Sequence, residues 1–372
     1  MRTALLTSAA VALMCCVTPA ADSQGAGRFV VRTDKNPPMH SNELFPACES
    51  FHSPRVMQLR ERYGLDKVVA GETDELKRIL LLRHWIATNM RIDDANPTPV
   101  REDAFAILDA ALKGGGFHCA HFRIVQHAVL NSFGYVARTL GCGPGLPEKG
   151  KGGHHGVNEV WVNALGKWMI IDAKYDTHFE KDGVPLSALE IRDEVWKDGG
   201  QSVVLVEGPG RKVLPPTKEG QADRRCTTYR WCSWETGTNH FTSCPAPMTS
   251  TLVMLDDPIF RAGTWYRDGR PHWAYETPYL VKTTQRDWIE WTPNVIASKV
   301  TVEGERAVVA LQSFTPNFRT YQMRAGDGAW KDCEDTLALA LEKRLNRFAF
   351  RAVSLFGVTG PVHRVEIDWQ AP

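Results

Sequence analysis

Apolar positions recur at helical spacing in three segments of the first third of the chain, then give way to alternation. The first segment follows Thr73 or Asp74, either of which suits an N-cap. It carries Leu76, Ile79, Leu80 and Ile86, with Arg83 as one polar interruption and Trp85 adding bulk. The second covers residues 104–113, with Phe105, Leu108 and Leu112 on its stripe, and Gly114-Gly115-Gly116 stops it. The third begins near Cys119 and ends before Gly134. Phe122, Val125, Val129 and Phe133 form its stripe, and Cys119, three residues before Phe122, lies on that face. Residues 135–140 are β-prone, and 141–153 read as a loop rich in Gly, Pro and Lys. Residues 156–162 and 167–173 read as a hairpin over Asn163-Ala164-Leu165-Gly166. Residues 21–69, by contrast, show no clear period.

From Asn294 on, short alternating stretches recur: Val300/Val302, Val309/Leu311, Leu337/Leu339/Leu341, Phe348/Phe350/Ala352 and Val365/Ile367/Trp369. They predict a small β-sandwich resembling immunoglobulin or fibronectin type III modules. Helical segments followed by a run of strands make the class α+β rather than a doubly wound sheet. The organisation expected is a signal peptide over 1–20, an N-terminal extension over 21–71 and a catalytic core over 72–224. An aromatic, Cys-containing linking segment over 225–292 and an accessory β-sandwich over 293–372 complete it.

Composition narrows the function classes. The chain has 372 residues, with 44 Lys+Arg against 43 Asp+Glu, so no polybasic footprint marks a nucleic-acid partner. No apolar run after the first twenty residues approaches the ~18 needed to span a bilayer. Met1-Arg2-Thr3, an apolar stretch over 4–17 and Thr18-Pro19-Ala20-Ala21 read as a secretory leader cleaved near Ala20 or Ala21, which implies a secreted or periplasmic protein. Cleavage removes Cys15 and Cys16 and leaves seven cysteines: Cys48, Cys119, Cys142, Cys226, Cys232, Cys244 and Cys333. An odd count in a compartment that permits disulfides predicts three bridges and one free thiol, with a local bridge between Cys226 and Cys244.

Three segments carry candidate chemistry: Gly116-Phe117-His118-Cys119-Ala120-His121-Phe122, then His155-Gly156-Val157-Asn158-Glu159-Val160-Trp161, then Trp168-Met169-Ile170-Ile171-Asp172. A cysteine nucleophile acts as its thiolate. A helix N-terminus both lowers the thiol pKa and offers free N–H groups to a developing oxyanion. A histidine must take the thiol proton, and a carboxylate must orient that histidine. A hairpin turning on Asn163-Ala164 sets position 155 directly opposite 172, with Cβ atoms ~5 Å apart. A slip of one residue would separate them onto opposite faces.

In the order Cys, His, Asp, these segments resemble the transglutaminase-like core, over roughly residues 72–180. The likeness includes Phe133-Gly134-Tyr135-Val136-Ala137-Arg138. Phe117 stands where that family often has Gly, Val157 where it often has Trp, and Ala173-Lys174 where Pro-Thr is usual. The resemblance implies a papain-like fold in which Cys119 is the nucleophile, His155 the general base and acid, and Asp172 the orienting carboxylate. With the leader, it implies an exported cysteine-dependent acyl-transfer enzyme, acting by transamidation or by hydrolysis of an amide or peptide bond through a thioester. Its substrates would be extracytoplasmic proteins, peptides or glycoconjugates, and this chemistry requires no metal or organic cofactor. The alternative is a polysaccharide-binding or glycan-acting protein on the same scaffold.

Other residues carry blander readings. His154 rivals His155 as base. His118 and His121 read as polar neighbours of the cleft rather than, with Cys119, His154 and His155, as zinc ligands. Glu159 reads as a partner of Arg138. The aromatic segment around Tyr229, Trp231, Trp234, Trp265, Tyr266, Trp273, Tyr275, Tyr279, Trp288 and Trp291 reads as packing first and as a glycan platform second.

Overall fold

The computed structural model describes residues 27–45, 47–143, 155–216, 224–242, 252–258, 266–267, 270–271 and 280–372. The expected leader, His154, Cys244 and most of the 141–153 loop lie outside them.

The helical part precedes a central sheet. Helices α1 (Pro54–Tyr63), α2 (Leu65–Val68), α3 (Glu75–Asn89), α4 (Ala104–Ala111) and α5 (Cys119–Ser132) follow in order. Two aspartate side-chain caps are made, one expected from the sequence and one that the sequence reading did not name. Asp74 accepts from the N–H of Lys77 at the head of α3, and Asp103 accepts from Phe105 and Ala106 at the head of α4. Each satisfies donors that a helix start leaves open.

The central sheet has six strands in the order Leu280–Thr283, Leu252–Leu255, Trp231–Glu235, Ala137–Gly143, His155–Val162 and Lys167–Ile171. Its faces pack differently. Ala137, Val160, Val162, Met169 and Ile171 join the core formed by α1 to α5. Leu140, Val157, Trp161, Trp168 and Ile170 face a second core with Phe45, Trp291 and helix α6 (Ala188–Asp198). A buried ion pair ties that second face together. Glu159 accepts from Arg138 Nε and Nη2 at 2.8 and 2.6 Å, from Trp234 Nε1 at 2.8 Å and from the N–H of Ala188 at 2.7 Å.

The C-terminal region is a two-sheet antiparallel sandwich. One sheet pairs Ile296–Glu303, Arg306–Ser313 and Thr336–Ala340. The other runs Arg28–Arg32, His363–Gln370, Asn346–Ser354, Phe318–Ala325 and Lys331–Cys333. Ala307, Val309, Phe350, Val365 and Ile367 fill the space between them. The 21–69 stretch is thus less irregular than its sequence suggests: it supplies α1, α2 and an edge strand, Arg28–Arg32, paired with the far end of the chain. Among the described residues no helix is long and apolar enough to cross a membrane.

The disulfide expectation requires correction. Three bridges would need all six cysteines other than Cys119, yet Cys48, Cys142, Cys232 and Cys333 carry free thiols. The bridge expected between Cys226 and Cys244 involves a residue outside the described set.

Removing one member of a fully buried ion pair strands the other charge, at a cost of about 3–5 kcal/mol. Glu159→Ala is expected to lose that much stability in urea denaturation. Lys343→Ala, which breaks an exposed pair with Glu305, should cost less than ~1 kcal/mol. Equal losses would show that the Arg138–Glu159 pair does not hold the sheet.

Candidate active site

The third helix begins where its sequence stops being flexible. The triple glycine ends at Gly116, residues Gly116–Phe117 form a short parallel strand beside Arg91–Ile92, and α5 starts at Cys119. His118 is its N-cap, with Nδ1 accepting from the N–H of Ala120 at 3.3 Å. Cys119 therefore stands at the positive end of a helix of 14 residues.

His155 is the first residue of its strand and Asp172 follows the last residue of the next. Their ladder closes between Val162 and Lys167 over a four-residue loop and pairs Asn158 with Ile171. Extended past its last bonded pair, this register sets 174 opposite 155. The expected turn was centred one residue too early, which displaces the partner by two. An even displacement keeps Asp172 on the same face, as a diagonal neighbour. The imidazole spans the diagonal with its far nitrogen, so Nε2 of His155 lies 2.7 Å from Oδ2 of Asp172. The other carboxylate oxygen, Oδ1, accepts from the N–H of Lys174 at 2.9 Å. Asp172 and Thr177 exchange backbone hydrogen bonds at 3.0 Å in each direction.

Helix and hairpin meet at Gly156. A Cβ there would lie 3.9 Å from Cα of Ala120, in ordinary contact with the helix, and 2.9 Å from Cδ of Arg123, so a side chain at 156 would require the Arg123 chain to shift. The contact places the N–H of Gly156 and the ring of His155 within hydrogen-bond reach of the Cys119 sulfur. Burial pushes the Cys119 thiol up, but the hydrogen bonds from His155 and Gly156 and the charges of His155 and Lys174 outweigh it, so the thiol titrates below its ordinary value. Burial likewise pushes His155 down. The Asp172 carboxylate and the Cys119 sulfur reverse that and raise it to about 10. The two shifts run in the directions that favour a thiolate–imidazolium pair over the neutral one.

No other itinerary of this kind is open to the neighbouring thiols. Burial, first among the causes, pushes Cys48, Cys142, Cys232 and Cys333 upward, the last to about 11. Cys142 lies directly opposite both Cys232 and His155 in the sheet.

The remaining sequence candidates fall into place around this centre. His121 is buried, with its ring 4.2 Å from that of His118, and among the described residues no group of His, Cys, Asp and Glu is arranged to hold a metal ion. Tyr229, Trp234 and Trp291 are core residues and present no ring to a glycan, whereas Trp231 is half-buried and Trp288 exposed. Trp265, Trp273, Tyr275 and Tyr279 lie outside the described residues. The pattern-based reading passed over three groups: Gly156, Gln126 and Lys174. Lys174, whose Nζ is 2.8 Å from both oxygens of Asp94, stands in the Ala173-Lys174 pair that departs from the family pattern. Gln126 shows as a polar residue beside the Val125 position of an apolar stripe. Tyr175, exposed, sets its ring 5.8 Å from that of His155.

Residues 64–173 match the model of the transglutaminase-like superfamily. Among solved structures, the chain is similar to a putative cysteine protease from Cytophaga hutchinsonii, at 17% identity over 34% of this chain and 39% of that one, with a TM-score of 0.27. It is also similar to a putative protease from Parabacteroides distasonis, at 13% identity over 44% of this chain and 30% of that one, with a TM-score of 0.24. The chain thus spans less than half the length of either. No curated protein sequence matches it. Residues 64–173 carry a transglutaminase-like core, and the family match supports a cysteine-dependent enzyme in general terms.

A lowered thiol beside raised neighbours predicts selective chemistry. Iodoacetamide at about pH 6 is expected to label Cys119 ahead of Cys48, Cys142, Cys232 and Cys333, because the thiolate is the nucleophile. Peptide mapping by mass spectrometry reads the order. A Cys119 rate that rises only near the ordinary thiol pKa would contradict the ion pair.

Proposed function

We propose that the protein is an exported acyl-transfer enzyme in which Cys119, His155 and Asp172 act as a triad on an amide or peptide bond. The observation that carries this reading is the Cys119–His155–Asp172 chain itself, with its 2.7 Å His155–Asp172 bond and a thiol held below its ordinary value. The Cys119 thiolate attacks the carbonyl carbon and a C–S bond forms. As the tetrahedral intermediate collapses, the C–N bond breaks and the leaving amine takes the proton of the His155 imidazolium. In the second step His155 accepts a proton from water or from an acceptor amine, whose attack releases the acid or the new amide and restores the thiolate. The N–H groups at the head of α5 are suited to receive the negative charge that develops on the carbonyl oxygen. Asp172 keeps Nε2 occupied, which turns the other ring nitrogen toward the sulfur.

Substrates of this reading are extracytoplasmic proteins, peptides or glycoconjugates, since the leader directs the chain out of the cytoplasm. Expression with the leader intact is expected to give a protein whose first residue, by N-terminal sequencing, follows Ala20 or Ala21. A chain retained whole in the cytoplasm would refute export.

Incubation with a carboxamide- or peptide-containing donor library is expected to give a hydroxylamine-sensitive acyl adduct on Cys119. Asp172→Asn should lower its rate of formation by on the order of 10³–10⁴-fold, and Cys119→Ala should abolish it. An adduct that survives Cys119→Ala, or turnover indifferent to Asp172→Asn, would reject the triad.

A further inference from the structure

Helix α5 brings a second polar side chain to the site. Gln126, seven residues beyond Cys119, is 1% exposed, and its amide is occupied at both ends by the strand terminus that bears Asp172. Nε2 donates to the carbonyl of Ile171 at 3.2 Å, and Oε1 accepts from the N–H of Ala173 at 2.7 Å. These are the residues on either side of Asp172. Beyond them the chain leaves the hairpin ladder, whose last pair is Asn158 with Ile171. Asp172's own backbone turns to Thr177. The strand end is therefore held on one side by its own return and on the other by a single side chain.

We propose that Gln126 is a positioning residue, fixing the Asp172 backbone to the same helix that presents Cys119. The distance between nucleophile and acid–base pair is then set within one rigid element rather than across a loop. This inference rests on the reading of Cys119, His155 and Asp172 as one unit and adds a residue that never touches substrate. Gln126 also satisfies two buried backbone groups, so the test separates orientation from stability.

Gln126→Met keeps volume and an unbranched shape but leaves the Ile171 carbonyl and the Ala173 N–H without this partner. A freed strand end lets Asp172 drift from His155 Nε2. His155 then loses the charge that holds its proton, and Cys119, losing an imidazolium neighbour, moves back up. The thiolate fraction falls at acid pH, whereas above the ordinary thiol pKa the cysteine ionises regardless. Gln126→Glu is a conditional substitute. Protonated, it offers one acceptor and one O–H donor in the pattern of the amide; ionised, one oxygen still accepts from the Ala173 N–H while the other faces the Ile171 carbonyl, acceptor against acceptor.

The measurement is the rate of Cys119 alkylation by iodoacetamide from about pH 5 to 9.5, with thermal unfolding followed alongside. Gln126→Met is expected to lower the rate at pH 6 about tenfold, a shift of about one unit in the acid limb, and to converge with wild type at the alkaline end. Gln126→Glu should follow wild type at acid pH, fall below it once the introduced carboxyl ionises and converge again at the alkaline end, and it carries the test if Gln126→Met does not fold. Asn131→Ala removes another buried hydrogen bond of α5, to the carbonyl of His127 at 2.8 Å, and should lower stability without moving the profile. A Gln126→Met profile that superimposes on wild type, or an Asn131→Ala shift of equal size, overturns the proposal. A wild-type limb at the ordinary thiol value overturns the triad reading as well, which distinguishes the two failures.

Discussion

The register between His155–Val162 and Lys167–Ile171 decides whether His155 and Asp172 can meet, and several independent groups lock it. Trp161 stands opposite Trp168, with ring centroids 5.8 Å apart. Glu75 reaches the connecting loop from α3, accepting from Asn163 Nδ2 at 2.6 Å and from the N–H of Ala164 at 2.7 Å. Glu159 adds the strongest constraint. A slip of one residue would turn its carboxylate from Arg138, Trp234 and the head of α6 into the apolar core of α1 to α5, where no such partners wait. The ion pair thus protects the site without touching it: the cost of burying a lone charge excludes the registers that would part His155 from Asp172.

Much of this was legible because period survives small errors of placement. The N-cap Asp74, the span of α4 and the start of α5 follow from local residues, since caps and glycine stops act over a few positions. The hairpin turn is read one residue early, yet an even displacement preserves which face a side chain occupies. What escaped the pattern is non-local or half-exposed. Arg28–Arg32 becomes a strand only by pairing with His363–Gln370 at the far end of the chain. In Phe318–Ala325 a single side chain, that of Tyr321, is buried, so no alternation marks it. Helix α1 buries only Val56 and Leu59, too few to write a stripe. Gln126 was hidden for another reason: its partners are backbone groups of residues some 45 positions on, and no residue type in the sequence announces them.

Counting cysteines led toward Cys119 by a route the structure does not support, because Cys48, Cys142, Cys232 and Cys333 are not consumed in bridges. What distinguishes Cys119 is placement rather than number. Cys142 shares its neighbourhood: it lies opposite His155 and makes a 3.5 Å contact with that residue's carbonyl. Yet the contact is an acceptor, and an acceptor favours the protonated thiol. Enclosed within the sheet, Cys142 is fully buried, and burial pushes its pKa well up. Cys119 sits at a helix start instead, where hydrogen bonding from the N–H of Gly156 and the His155 ring holds its thiol below the ordinary value. Two cysteines beside one histidine are therefore driven in opposite directions, Cys142 upward by burial and Cys119 downward by the donors and cationic groups that outweigh its burial. That difference requires the strand carrying His155 to meet a helix N-terminus, and the two come together at Gly156, where a Cβ would lie 3.9 Å from Cα of Ala120.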